Sequence, residues 1–136
     1  MSNELSVTYE GSMRAVAGIP SGESKVVVGA STSCGGTGTD FTPLDLLATS
    51  YAGCVIMSMD LVAKKNGFDI AGAEVRVSLD TNSHGGPAIA GIYATIVLPK
   101  QYTDEQLHLL RKGEAYCPVH NALRPEIKTN LTFEMP

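Results

Sequence analysis

Apolar and polar residues alternate near the start of the chain, where Leu5, Val7 and Tyr9 interleave with Ser6, Thr8 and Glu10. A period of two is that of a half-buried strand. Glu10-Gly11-Ser12 reads as a turn, 13–19 as a returning strand, and Lys25-Val-Val-Val-Gly29 as a third. Pro20 to Glu23 interrupt the second and third. Further on, Val75, Val77 and Leu79 alternate with Glu74, Arg76, Ser78 and Asp80, a strand with one wet face. Ile92, Ala94, Ile96 and Leu98 form one face of a fifth strand, and Ile127, Thr129, Leu131, Phe133 and Met135 one face of the last.

The rhythm changes between the third and fourth strands. Thr42-Pro43 with Asp45 three residues after Thr42 is a helix start: a capping hydroxyl, a proline at the first helical position, and an acid at the positive end of the dipole. No charge occurs between Asp45 and Asp60, and the run stops at Lys64, Lys65 and Asn66-Gly67. At ~1.5 Å per residue the stretch 43–65 is about 35 Å long. A domain of this size has a radius of gyration of only about 14 Å. This is the expected central core helix. Thr49, Ser50, Tyr51, Gly53 and Ser58 interrupt its apolar run, so no membrane span is expected.

Thr103-Asp-Glu-Gln106 is a capping-box pattern opening a second helix with Leu107, Leu109 and Leu110, which Gly113 weakens near its end. Cys117-Pro118 begins a short helix running through Leu123 and Arg124. The order is βββ–α–ββ–α–α–β, an α+β class. The long helix is apolar on more than one face, more than one curved sheet covers, which predicts a homodimer.

With 136 residues, a single domain over 1–136 is expected. A net charge of −4 and no basic run argue against a nucleic-acid partner. The first residues, Met-Ser-Asn-Glu-Leu-Ser, carry neither a basic nor an apolar signal region, and three widely spaced cysteines do not form a disulfide framework. A cytoplasmic location is the expectation.

Cysteine is therefore the candidate chemistry. Cys54 lies on one stripe of the long helix with Leu44, Leu47, Tyr51, Ser58 and Val62; it is either a small packed hydrophobe or a reactive thiol. Cys117 precedes Pro118 at a helix start, where unpaired N–H groups stabilise a thiolate, and His120 follows one turn on. Either Cys-Pro simply starts a helix, or Cys117 is the more acidic of the two thiols, since burial would raise the other. Cys117 with His120 offers only two ligands, so no metal is expected. Cys34 sits in a Gly/Ser/Thr-rich loop, and His84 and His108 read as surface residues.

The segment Thr42-Pro43-x-Asp45-Leu46 … Ala52-Gly53-Cys54, followed 63 residues later by Cys117-Pro118-Val119-His120-Asn121-Ala122, resembles the family of osmotically inducible protein C and organic hydroperoxide resistance proteins (OsmC/Ohr). The likeness extends over essentially the whole chain. It implies an OsmC-like fold, with antiparallel sheets around long central helices in an intertwined dimer. It also implies that Cys54 is the thiol that attacks a hydroperoxide and becomes a sulfenic acid, and that Cys117 resolves it as a disulfide. No bound cofactor is implied; an external dithiol, of lipoyl type in the family, would reduce the disulfide. The family's activating arginine comes from the N-terminal strands, where Arg14 is the candidate; on the residues alone it is equally an outward-facing strand arginine.

The family's supporting acid is a Pro-Glu glutamate, whereas here Leu44 follows Pro43 and Asp45 comes next, as in the broader OsmC-like subgroup. On a regular helix Asp45 is about 13.5 Å from Cys54 along the axis and on the opposite face. Asp45 therefore caps the helix or braces a basic residue elsewhere. His120 bonds the Cys117 sulfur or caps its helix. Glu114, Tyr116, Tyr51 and Met57 are candidate pocket residues, and packing explains the last three equally well. Three functions follow: a two-cysteine hydroperoxide reductase of oxidative-stress defence, a non-catalytic binder of acyl or aromatic small molecules, and a thiol redox sensor.

Overall fold

The computed structural model describes residues 4–20, 22–82 and 88–136. The chain divides into two compact units, Met1–Leu47 and Ala48–Pro136.

In the first unit the alternating N-terminal runs become a meander: β1 (Ser6–Gly11), β2 (Arg14–Gly18) and β3 (Lys25–Gly29), antiparallel throughout. Strand β2 begins at Arg14 rather than residue 13, because Ser12 and Met13 both take positive φ, 55° and 59°, at the hairpin tip. A two-residue loop needs that handedness to match the strand twist. Such loops usually carry Asn-Gly, so Ser-Met gave no signal. Leu5, Val7 and Tyr9 are exposed, so the alternation of β1 marks an apolar row without marking its burial. After β3, a 3-10 turn spans Thr32–Cys34. Gly36 lies against it so closely that a Cβ would stand 1.8 Å from the Ala30 carbonyl oxygen.

Helix α1 (Pro43–Lys65) starts as the pattern predicts. The Asp45 amide donates to Thr42 Oγ1 at 3.1 Å, and the Thr42 amide donates to Asp45 Oδ2 at 2.9 Å. This is a reciprocal capping box with aspartate in the third position. Of the two roles open to Asp45, the cap is the one it fills.

The second unit contains the rest of α1, the strands β4 (Glu74–Asn82), β5 (Ala88–Val97) and β6 (Lys128–Glu134), and the helices α2 (Asp104–Lys112) and α3 (Pro118–Ala122), with a 3-10 turn at Gly113–Tyr116 between the helices. His84 lies outside the described residues. The sheet order is β4-β5-β6. The β4–β5 pair is antiparallel, but β6 lies parallel to β5, a departure from the all-antiparallel expectation. The reason is the long helical excursion between them: a parallel neighbour needs a crossover, and α2, the 3-10 turn and α3 supply it.

Register aligns the apolar residues into rows. Val75 pairs with Ile96 and Ile96 with Phe133; Val77 with Ala94 and Ala94 with Leu131; Leu79 with Ile92 and Ile92 with Thr129. This face joins Tyr51, Val55, Met59 and Ala63 of α1 in one core cluster. The opposite face is polar, with a Thr95–Thr132 hydroxyl contact and an Arg76–Glu134 ion pair. By length and composition α1 could cross a membrane, yet its buried stripe enters this core. The stripe that is deepest differs from the one drawn from spacing: Ala48, Ala52, Val55 and Met59 are buried with Tyr51, while Leu44 is exposed and Cys54 is only half-buried.

The α2 capping box forms as predicted, with the Gln106 amide donating to Thr103 Oγ1 at 3.1 Å and the Thr103 amide to Gln106 Oε1 at 2.9 Å. Gly113, which reads as a weak point in sequence, is a close-packing point. A Cβ there would lie 2.8 Å from the Met59 Cα. Its bare backbone lets the 3-10 turn rest directly on α1, which delivers the next residue, Glu114, to that helix.

Candidate functional site

Cys117 is the N-cap of α3, in extended conformation ahead of Pro118, and α3 ends at Ala122 rather than running on to Arg124. The His120 amide donates to Cys117 Sγ at 3.3 Å. Cys54, half-buried on α1, lies near enough to Cys117 for the two thiols to influence each other. Two free sulfurs from distant parts of the sequence thus meet in the second unit.

Cys117 is completely buried. Burial pushes its thiol above the ordinary range, the neighbouring Cys54 thiol adds to this, and the amides of His120 and Val119 offset it only in part. The expectation that a helix start makes Cys117 the more acidic thiol is therefore corrected. The N–H groups are present, but removing the sulfur from water disfavours the thiolate more than they favour it. The five-residue α3 also has little aligned dipole to offer.

Around the sulfurs lies a polar cluster drawn from four elements. Tyr51 of α1 donates its hydroxyl proton to Glu114 Oε2 at 2.7 Å. Glu114 Oε1 is 3.7 Å from His120 Nε2, which also lies 3.4 Å from Thr129 Oγ1 of β6. The Tyr51 and His120 rings are tilted, with centroids 6.4 Å apart. Burial pushes the Tyr51 phenol well above the usual tyrosine range, and the hydrogen bond to Glu114 and that group's charge add to the shift. Of the two roles open to His120, its backbone holds the Cys117 sulfur, while the imidazole faces Glu114, Thr129 and, through Nδ1 at 3.2 Å, Asn121 Oδ1.

Other candidates fall elsewhere. Met57 and Tyr116 are 68% and 69% exposed. In the first unit Arg14 Nε is 3.4 Å from Asp40 Oδ2, and Nη1 is 3.9 Å from Glu10 Oε1. Arg14 faces Gly29 across the sheet, and Asp40 occupies the space that Gly29 leaves: a Cβ there would lie 2.9 Å from the Asp40 Cβ. Asp40 and Asp45 thus divide the work, one holding the arginine and the other capping α1. Nothing in the spacing singles out Asp40; only the cross-strand register explains it. Cys34 closes its 3-10 turn in the open, and His108 is exposed on α2.

Two three-stranded sheets, one long apolar helix bearing a thiol, and a Cys-Pro turn bearing a second thiol define a class of small two-thiol α+β proteins. The sequence profile of the OsmC-like protein family matches residues 36–132, and the chain belongs to that family. A crystal structure from Psychrobacter arcticus 273-4, provisionally assigned as an osmotic stress induced and detoxification response protein, superposes with a TM-score of 0.91 at 25% identity, covering 98% of this chain and 96% of that one. The organic hydroperoxide resistance protein OsmC of Legionella pneumophila matches with a TM-score of 0.80 at 18% identity, over 99% and 98% of the two chains. The organic hydroperoxide resistance protein OhrB of Bacillus subtilis matches with a TM-score of 0.73 at 21% identity, over 98% of each. At those identities the last two establish the shared fold. No curated protein sequence matches the chain.

Proposed function

We propose that this protein is a thiol-dependent reductase of organic hydroperoxides. The observation that carries this reading is the approach of Cys54 to Cys117, two free thiols near enough to influence each other. Cys54, the less buried of the two, attacks the O–O bond as a thiolate, releases an alcohol and becomes a sulfenic acid. Cys117 then displaces hydroxide from that sulfur, closing the disulfide, and an external dithiol of lipoyl type reopens it. Arg14 is the activating cation by family pattern, and Asp40 is the acid that holds it.

The same proposal includes a homodimer in the cytoplasm. Leu5, Val7 and Tyr9 on β1 and Met57 and Leu61 on α1 are all exposed, the kind of apolar surface that association covers.

The test is intact mass with peptide mapping after one equivalent of cumene hydroperoxide, in the wild type and in Cys54→Ser. A rapid loss of two hydrogens mapping to Cys54 and Cys117, absent in the variant and reversed by dihydrolipoamide with continued peroxide consumption, is the expected result. Two thiols that remain alkylatable after minutes of exposure would sink the reading and turn attention to a bound small molecule. Light scattering on the same sample reads the mass of the assembly.

A further inference from the structure

Two thiols carried by different segments react with each other only if the segments are held in register. Cys54 is carried by α1, and Cys117 by the turn that follows α2. That turn seats on α1 at two points. Gly113 comes so close that a Cβ would lie 2.8 Å from the Met59 Cα, and Tyr51 donates its hydroxyl proton to Glu114 Oε2 at 2.7 Å. Tyr51 precedes Cys54 by three residues and Met59 follows it by five, so the two seats straddle the Cys54 position on the helix. Residues three apart share a helix face, as Tyr51 and Cys54 do. Glu114 likewise precedes Cys117 by three residues, and the Cys117 amide donates to the Glu114 carbonyl at 3.1 Å. The pairs Tyr51–Glu114 and Cys54–Cys117 are therefore each separated by 63 residues. Tyr51 and Cys117 are buried members of one core cluster, and Cys54 packs against it.

The turn is also closed upon itself. Asn121 Nδ2 donates to the Ala115 carbonyl at 3.0 Å, the Asn121 amide to the Cys117 carbonyl at 3.0 Å, and the His120 amide to Cys117 Sγ at 3.3 Å. A block tied in this way moves as one piece, and its seating on α1 decides where Cys117 stands. Tyr51 is completely buried in a stripe with Val55, Met59 and Ala63. A phenylalanine would fill the same space; what the hydroxyl adds is the bond to Glu114.

We infer that Tyr51 and Glu114 are the positioning pair of the thiol site, a clasp that seats the Cys117 turn on the stretch of α1 that carries Cys54. The inference rests on the reading of Cys54 and Cys117 as a reacting pair. The two side chains act through the turn and not on the sulfurs. A bond between a phenol and a carboxylate is short and strong, and in a water-poor site it has few competitors. Gly113 fixes how near the turn comes, and the clasp fixes its register along the helix. Holding two reacting groups in place spares the loss of freedom that would otherwise accompany their meeting.

The experiment uses the full chain carrying Cys34→Ser, which removes the exposed third thiol, with dithiobis(nitrobenzoate) as the probe. The thiolate of Cys54, the less buried of the two, attacks the S–S bond of the reagent, forms a mixed disulfide and expels one thionitrobenzoate. Cys117 then attacks the Cys54 sulfur of that mixed disulfide, gives its proton to solvent and expels the second. The first release depends on reagent concentration and reads thiol reactivity. The second does not, and reads how well the thiols are placed. Tyr51→Phe and Glu114→Ala are expected to leave the first release unchanged and to slow the second about tenfold, within the roughly hundredfold that a displacement of about 1 Å can cost. The Cys54–Cys117 disulfide of both variants should also be easier to reduce in dithiothreitol equilibria, by about 30 mV for that tenfold loss. Glu114→Gln, whose amide oxygen still accepts from Tyr51, should restore the second release; a loosened core would instead speed the first. A second release in Tyr51→Phe and Glu114→Ala as fast as the parent's overturns the inference and leaves the two-thiol reading intact. Glu114→Gln as slow as Glu114→Ala overturns it as well. If the parent shows no concentration-independent second release, the thiols do not pair, and the inference falls with the two-thiol reading. If the pattern holds but cumene hydroperoxide leaves both thiols free, the hydroperoxide reading fails and the clasp stands.

Discussion

Each unit of the chain holds a small cluster of ionisable groups, and the two differ in how deeply their most buried member lies. Arg14, Asp40 and Glu10 meet at the surface of the first sheet, with Arg14 about half exposed and contacts of 3.4 and 3.9 Å. Tyr51, Glu114 and His120 meet at the edge of the second core, where a 2.7 Å bond ends on a phenol shut away from water. In the first cluster solvent screens Arg14 and Glu10, each 48% exposed, and the pairs orient a side chain without adding much stability. In the second, burial sets the chemistry, because an unpaired phenol or a thiolate there has no water to turn to. Similar groups thus hold an arginine in one place and satisfy a buried phenol in the other.

The sheets differ in the same way. The second buries an apolar face under α1, while β1 of the first leaves Leu5, Val7 and Tyr9 in the open.

The strongest way to sharpen this contrast is Gly113→Ala. A methyl group would stand 2.8 to 2.9 Å from the Met59 backbone, which cannot give way as a side-chain tip can. Overpacking of this kind costs about 2 kcal/mol, and pulling the turn away from α1 should also part Glu114 from Tyr51. Urea denaturation is expected to show a clearly lower midpoint; an unchanged midpoint would mean that the turn is not held by this contact.

A second, smaller effect concerns alkaline pH. The folded-state values of Cys117 and Tyr51 are both raised, so the unfolded chain releases these protons first as pH rises. Stability is then intact below the ordinary values of 9.0 and 10.0 and declines as pH climbs through and beyond them. Melting curves from pH 7 to 11 should show the decline, and Cys117→Ser should remove its first part. Superimposable wild-type and variant profiles would contradict the burial argument.

The smallest effect is expected in the first unit. Asp40→Asn should change stability by about 0.5 kcal/mol, the usual worth of a pair whose cation is about half exposed. Its consequence should appear instead in the rate of peroxide consumption, through a less well-held Arg14. A large fall in melting temperature would show that the pair stabilises the unit and would erase the contrast.

Several of these features were legible in the sequence because they are local. The Thr42–Asp45 and Thr103–Gln106 boxes each close over three residues, so residue type and spacing suffice to find them. The alternation in β4, β5 and β6 reports which residues share a face, since the pleat imposes a period of two. Other features were hidden because they join distant residues. Asp40 comes to Arg14 only through the pairing of β2 with β3 and the missing side chain of Gly29. Glu114 comes to Tyr51 only because Gly113 lets two backbones touch.

Alone, then, the sequence determined the element order, the caps, the apolar faces and the presence of two thiols in contexts that pointed to one family. All of these depend on interactions within a few residues or on residue type itself. Tertiary structure decided that β6 runs parallel to β5, that Cys54 and Cys117 meet, and that Cys117 is the deeply buried partner. Desolvation sums over every group packed around an atom, and no short stretch of sequence contains that sum. The same Cys-Pro helix start would favour a thiolate at a wet surface; here the packing over it holds the proton on.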